Sequence, residues 1–212
     1  MSFSYYFNMT NKKPIFLIHG GLTFRNKKDY LVFLRNAPVS IEKKNSWNGD
    51  WLDKKLGSDY DLIRPRMPLR ENAKYEDWKI YFEKFIPLLK SGVIFIGYSL
   101  GGIFLAKYLS ENKFPKKIGG VLLVAPPFDN SLGDEDLLGG FKLGADLSRL
   151  EKSTKNLYLF FSADDNVVPV SHAEKYKQKL TSAQVIVYKS KNGHFQTPQF
   201  PEIIKIVKNL DN

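Results

Sequence analysis

The stretch Val93-Ile94-Phe95-Ile96-Gly97-Tyr98-Ser99-Leu100-Gly101-Gly102 constrains this chain more than any other. Its apolar, β-branched beginning predicts a buried strand that breaks at Gly97. Ile103-Phe104-Leu105-Ala106-Lys107-Tyr108-Leu109 then continues with helix-forming residues. The pattern Gly97-x-Ser99-x-Gly101 sits at this strand-to-helix junction. So sharp a turn strains the serine backbone, and side chains two residues before or after it would collide with the neighbouring strand and helix. The hydroxyl is then held clear of the surface, with the free N–H groups of a helix N-terminus behind it. The alternative is an ordinary connection whose serine only caps the helix. A strand before and a helix after are the context expected of a nucleophile elbow.

The rest of the chain repeats this alternation. Pro14-Ile15-Phe16-Leu17-Ile18 predicts a strand running into His19-Gly20-Gly21, and Tyr60-Asp61-Leu62-Ile63 another, closed by the stiff loop Arg64-Pro65-Arg66-Met67-Pro68. Further strands are expected at Ile118–Ala125, Leu157–Phe161 and Val185–Tyr188. Apolar spacing predicts helices over Lys28–Arg35, Trp47–Leu56, Tyr75–Ile86, Ser171–Leu180 and Phe200–Leu210. Trp47 and Trp51 are expected to pack rather than to form a ligand cage. Residues 128–153 carry no strand signal and are expected to form a lid-like insertion in a single domain spanning 1–212. Their cluster Asp134-Glu135-Asp136 lacks the ligand spacing of a calcium loop. Alternating strands and helices imply an α/β class, a mostly parallel sheet with helices on both faces.

The chemistry-bearing residues fall just past strand ends, on the carboxyl edge where open α/β sheets bind ligands. A serine needs an adjacent base to act as nucleophile, and an imidazole needs a carboxylate to fix its tautomer. Of the three histidines, His194 follows the last strand beside Gly193 and is the expected base. His172 lies on the helix after the acid loop, and His19 is expected to orient its own loop. Adjacent Asp164 and Asp165 point in different directions, so one of them reaches the base; Asp165, four residues before Pro169, is the choice, with Asp129 a third candidate. The order Ser99, Asp165, His194 is that of the α/β-hydrolase fold. In that fold the amide after the nucleophile, Leu100, and one from the first strand-end turn hold an oxyanion; Gly21 is the choice for the second, with Leu22 the alternative. Leu22, Tyr98 and Met67 are expected pocket residues.

Composition narrows the alternatives. At 212 residues, 43% hydrophobic and 14% aromatic, the chain is expected to fold as one globular domain. No apolar run approaches the roughly 20 residues that span a bilayer, and Met1–Asn8 lacks the features of a signal peptide. There are no cysteines, and a cytoplasmic location is the expectation. The formal charge of +10 comes from 32 basic and 22 acidic residues. Its lysines are spread along the chain, in pairs such as Lys12-Lys13, Lys43-Lys44 and Lys116-Lys117, with no arginine-rich tract. This reads as a solvated surface with no specific nucleic-acid or membrane partner.

The Ile18-His19-Gly20-Gly21 turn, the Gly97–Gly102 elbow, Asp165-Asn166-Val167-Val168-Pro169-x-x-His172-Ala173 and Gly193-His194-Phe195 resemble those of the α/β-hydrolase superfamily. Trp51-Leu52, the Arg64–Pro68 loop and Tyr75-x-x-Trp78 make the chain most similar to the small retinoblastoma-binding-protein-type serine hydrolases, which include bacterial YdeN-like proteins. The resemblance runs from Pro14 onward and implies that the aspartate of D-x-V-V-P, Asp165, is the triad acid. It implies acyl transfer on a small-molecule ester substrate through an acyl-enzyme, with no cofactor or metal. The leader and residues 128–153 are longer than in that family. A non-catalytic scaffold that binds a protein partner is the competing expectation.

Overall fold

The computed structural model describes residues 12–42, 45–133 and 136–210. The aromatic leader, Lys43-Lys44 and the acidic pair Asp134-Glu135 lie outside the described residues. Among the described residues β1 (Lys13–Ile18), β2 (Tyr60–Ile63), β3 (Val93–Tyr98), β4 (Ile118–Val124), β5 (Leu157–Ser162) and β6 (Gln184–Tyr188) form one sheet. Its order is β2-β1-β3-β4-β5-β6, and every neighbouring pair is parallel. The helices are α1 (Lys27–Asn36), α2 (Asp50–Leu56), α3 (Tyr75–Glu83), α4 (Leu100–Glu111), α5 (Ser148–Ser153), α6 (Ser171–Lys179) and α7 (Pro201–Asn209).

Successive strand residues face opposite sides of the sheet, so the near-continuous apolar strands build two cores at once. Ile15, Leu17, Ile94, Ile96, Leu122 and Phe160 pack with Leu52 and Leu56 of α2 and Ile203 and Val207 of α7. Phe16, Ile18, Phe95, Val121, Leu123 and Leu159 pack with α3, α4, α5 and α6 on the other face. Edge-to-face rings fill that second core, Phe82 lying 5.5 Å from Phe16 and 5.6 Å from Phe104. This is the α/β-hydrolase fold, with both faces of a parallel sheet covered as such sheets require.

The elbow glycines are set by close approach. A Cβ on Gly97 would stand 2.5 Å from the Gly101 carbonyl oxygen, against the first turn of α4. One on Gly101 would stand 2.3 Å from the carbonyl oxygen of Ile18, at the end of β1. The side chain excluded before the serine would strike the helix, and the one excluded after it the neighbouring strand.

Three elements differ from their sequence expectation. Helix α2 begins at Asp50, because Gly49 caps its start; Trp47 lies in the preceding turn, edge-on to Tyr98 and Phe200. Helix α3 ends at Glu83, and a 3-10 turn over Ile86–Leu88 follows in which Pro87 has no amide to extend an α-helix. Helix α1 forms where its apolar spacing predicts, yet none of its residues is buried. Its Tyr30 and Phe33 rest on Phe24. Residues 128–153 also divide in two. Leu137, Phe141, Leu143, Leu147 and Leu150 belong to the core, with the Phe141 ring 5.3 Å from Trp78.

Two glycines distinguish steric from conformational cost. Gly57 sits at φ +77° with nothing near its Cβ position, so Gly57→Ala costs about 1 kcal/mol through backbone strain. Gly101→Ala forces β1 and α4 apart and costs about 3 kcal/mol or more. Urea unfolding of both variants checks this ordering.

Candidate active site

Parallel pairing brings the ends of β3, β4, β5 and β6 to one edge, and backbone hydrogen bonds continue the sheet past the strands. The Ser99 amide donates to the Val124 carbonyl, Ala125 to Phe160 and Ala163 to Tyr188, each at 2.8 Å. The loops carrying Ser99, Asp165 and His194 therefore leave from a rigid common edge.

Ser99 occupies φ 54°, ψ −120°, a conformation a side-chain-bearing residue adopts only under constraint, at about 1–3 kcal/mol. Its hydroxyl makes no capping bond to α4, which removes the reading of a serine that merely caps the helix. The amide of Leu100, the first residue of α4, and that of Gly21 donate no hydrogen bond among the described residues. The Leu22 amide is instead engaged with the Arg70 carbonyl at 2.9 Å. Of the two candidates in the first strand-end turn, Gly21 is thus the available donor.

The adjacent aspartates divide their work. Asp165 accepts from the amides of Val167 and Val168, each at 2.9 Å, through one oxygen. Its other oxygen lies 2.7 Å from His194 Nδ1, and both side chains are almost fully buried. An ionised carboxylate only accepts, so Nδ1 carries the proton and Nε2 of the neutral ring is a bare acceptor. That Nε2 is buried and has no partner. The His194 loop folds back over Tyr98, the residue before the serine: the Tyr98 hydroxyl donates to the His194 carbonyl at 2.6 Å, and the rings lie 5.2 Å apart.

Asp164 holds that same loop by its backbone. It accepts from the Ser162 and Ser190 hydroxyls, each at 2.5 Å, and from the amides of Lys191 at 3.2 Å and Gly193 at 3.1 Å. These hydrogen bonds, those from Ser162 and Ser190 foremost, hold its carboxyl well below the usual carboxylate range. The loop needs the support, since Asn192, Gly193 and Phe195 all have positive φ. Sequence reading treated Asp164 only as a rival acid; its tie to a loop 26 to 29 residues away had no local signal.

The remaining candidates have other occupations. His19 Nδ1 bonds the Gly20 carbonyl, and Nε2 accepts from the Met67 amide at 2.9 Å. His172 accepts from the Phe128 amide and donates to the Ser131 carbonyl, each at 2.9 Å. Burial lowers the pKa of both imidazoles. Asp129 is salt-bridged to Lys175 at 2.7 Å; burial would raise its carboxyl, but the bonds from Lys175 and Ser131 outweigh it and leave the pKa low.

A narrow cavity beside Ser99 is lined by Gly21, Thr23, Leu100, Pro127, Leu132, Leu137 and Val168, with Asp136 at one side. Its water-accessible space is about 10 Å³, room for roughly one water. Leu22 and Tyr98 do not line this cavity, and Met67 is buried in the core with Trp78. Thr23, missed in the sequence, ties the cavity wall together: its hydroxyl donates to the Asp136 carbonyl and accepts from the Leu138 amide at 2.9 Å.

The serine hydrolase family model matches residues 41–208, and the chain belongs to that family. In sequence it is 28% identical over 149 residues to YdeN of Bacillus subtilis (strain 168), covering 68% of this chain and 76% of YdeN. It is 24% identical over 171 residues to the serine hydrolase RBBP9 of Rattus norvegicus, covering 78% and 87% respectively. The crystal structure of the B. subtilis ydeN gene product matches with a TM-score of 0.74 at 23% identity, over 94% of this chain and 99% of that one. Naproxen esterase (carboxylesterase NP) from B. subtilis matches at 0.59 and 13% identity, over 95% and 84%, a likeness of fold alone. Among the described residues no helix is long and apolar enough to cross a membrane.

The two aspartates separate by hydrogen exchange. Asp164→Ala speeds exchange at the Lys191 and Gly193 amides and leaves Val167 and Val168 protected; Asp165→Ala does the reverse. Acid stability is a second outcome. His19 and His172 carry pKa values below their ordinary 6.5, so the unfolded chain binds more protons. Their stabilisation is complete above pH 6.5 and is lost as pH falls through the lower folded values. The melting temperature therefore drops as the pH falls below the ordinary imidazole value of 6.5, and His172→Gln flattens part of that drop.

Proposed function

We propose that the chain is a carboxylesterase for small acyl esters, working through a Ser99-His194-Asp165 triad and an acyl-enzyme. The observation that carries this reading is the buried His194 imidazole, with Nδ1 held by a buried carboxylate and Nε2 left without a partner. Such a ring is a base fixed in the tautomer that accepts a proton.

Ser99 Oγ attacks the acyl carbon while His194 Nε2 takes its proton. Asp165 keeps the ring oriented and stabilises the imidazolium without itself becoming protonated. The carbonyl oxygen becomes an oxyanion held by the Leu100 and Gly21 amides, each worth about 3 kcal/mol in the transition state. The imidazolium returns its proton to the departing alkoxide, and the alcohol leaves. Water then enters, loses a proton to Nε2 and attacks the acyl-serine; collapse releases the acid and restores the serine hydroxyl. The apolar lining of Leu100, Pro127, Leu132, Leu137 and Val168 supports an apolar acyl group. The narrow cavity supports a short one.

A fluorophosphonate probe labels the native protein and fails to label Ser99→Ala. With p-nitrophenyl esters, turnover falls from acetyl to butyryl to octanoyl, and Asp165→Asn lowers kcat by about 10⁴-fold. Labelling without ester turnover moves the substrate to another acyl class, amide or thioester. Folded protein that takes no label overturns the hydrolytic reading and leaves a fold that holds a protein partner.

A further inference from the structure

Opposite the serine, at the amino edge of the sheet, lies a groove of about 1480 Å³. Its basic groups come from separate strand starts: Lys13 opens β1, Lys90 precedes β3, Lys116 and Lys117 precede β4, and Lys152 and Lys155 precede β5. These lysines are far apart in sequence, where they read as a general solvated surface. Parallel pairing gathers them, because every strand begins at the same edge. An adjoining depression of about 460 Å³ shares Lys116 and Lys152 and adds Lys113 and Arg149.

We propose that this edge is a docking groove for the phosphodiester backbone of a single-stranded nucleic acid, bound without reading its bases. Charge carries the argument. Among the described residues the larger groove has one acidic lining residue, Glu151. The Glu151 carboxylate is occupied by the Ser182 amide at 2.6 Å and the Thr181 hydroxyl at 3.3 Å. Asp146, which lines neither space, accepts from the Ser148 amide at 2.8 Å. Lys113, Lys117, Lys152, Lys155 and Arg149 are exposed and make no ion pair among the described residues. Lys116 is a fixed charge in the floor, half-buried, its ammonium donating to the carbonyls of Ile86 at 2.9 Å, Pro87 at 3.0 Å and Leu89.

Shape and chemistry select the occupant. The groove is larger than the roughly 300–1,000 Å³ of a small-molecule pocket, so it suits a chain. A phosphodiester strand carries one negative charge per residue, and lysine ammonium groups meet phosphates as point charges. No aromatic side chain or arginine lines the larger groove among the described residues, so nothing there stacks on bases or reads them by a bidentate fork. The inference is independent of the Ser99 chemistry, which lies at the other edge.

Fluorescence anisotropy of the full chain with labelled oligouridylate and oligothymidylate tests it. Both bind in low salt with no preference for base composition, and log K falls with log salt at a slope of about −3, as four or five phosphate contacts require. Equal binding of the two identifies the shared backbone; a preference for either separates RNA from DNA as the source. The Lys117→Glu, Lys152→Glu, Lys155→Glu triple variant weakens binding by about tenfold or more. A Lys28→Glu, Lys55→Glu, Lys205→Glu control, with the same charge change on other faces, loses about twofold. Should the groove variant fail to fold, acetylation footprinting of the native chain replaces it: the oligonucleotide protects Lys117, Lys152 and Lys155 and leaves Lys28, Lys55 and Lys205 reactive. Equal loss in the two triples, or uniform protection, overturns the proposal in favour of diffuse attraction to a net charge of +10. Wild-type protein that ignores oligonucleotides overturns it outright. Groove-dependent binding only to anionic vesicles, or displacement by polyglutamate as effective as by oligonucleotide, assigns the edge to a membrane or an acidic protein instead.

Discussion

The close passage of β1, β3 and α4 is the constraint on which the site depends. With 2.3 Å between the Ile18 carbonyl oxygen and the position of a Gly101 Cβ, no side chain can exist there, and the helix lies directly against the strand end. The turn between them must be completed within a residue, which is why Ser99 bears φ 54°. The same packing puts the free amides of Gly21 and Leu100 on either side of one small cavity. Serine conformation and the two donors are consequences of one steric fact, and loosening it would degrade them together.

The second half of the site solves a different problem. His194 leaves from β6, three strands away from the elbow in the sheet order, and its loop must fold back over Tyr98. A loop in left-handed conformations does not hold itself. Consecutive aspartates supply the anchors, Asp164 through the loop backbone and Asp165 through the imidazole. The two side chains point in different directions, so one reaches the ring and the other the loop backbone. Asp165 is the buried one of the two, so its carboxylate is the one that would be costly to leave unpartnered.

What was legible in the sequence followed from local chemistry. The strands read as apolar runs because both sheet faces are buried. The elbow read as a motif because its steric demands fall on Gly97 and Gly101, close in the chain. The physical reason to prefer Gly21 over Leu22 was not legible, since it lies in the Arg70 carbonyl that occupies the Leu22 amide, a contact across the fold. The burial of Leu137, Phe141, Leu143 and Leu147 was hidden for another reason: they lie outside any helix or strand and share no period. Helix α1 shows the converse, an apolar spacing that is real on a helix with no buried residue among the described residues.

Charge distribution belongs to the same class of hidden properties, and here topology does more than composition can. A parallel sheet has two chemically unlike edges. Strand ends feed helix N-termini, whose free N–H groups favour developing negative charge, and in this chain that edge holds the serine. Strand starts receive loops from helix C-termini, where lysine is favoured. Lys113, Lys116 and Lys117 follow α4, and Lys152 and Lys155 close α5 and its loop. Lys152 stands in the last turn of α5, and the others lie in the loops that follow α4 and α5. Their convergence is not a local property, because only pairing into one parallel sheet brings these helix ends together, and the same pairing carries the loops of Ser99, Asp165 and His194 to the opposite edge.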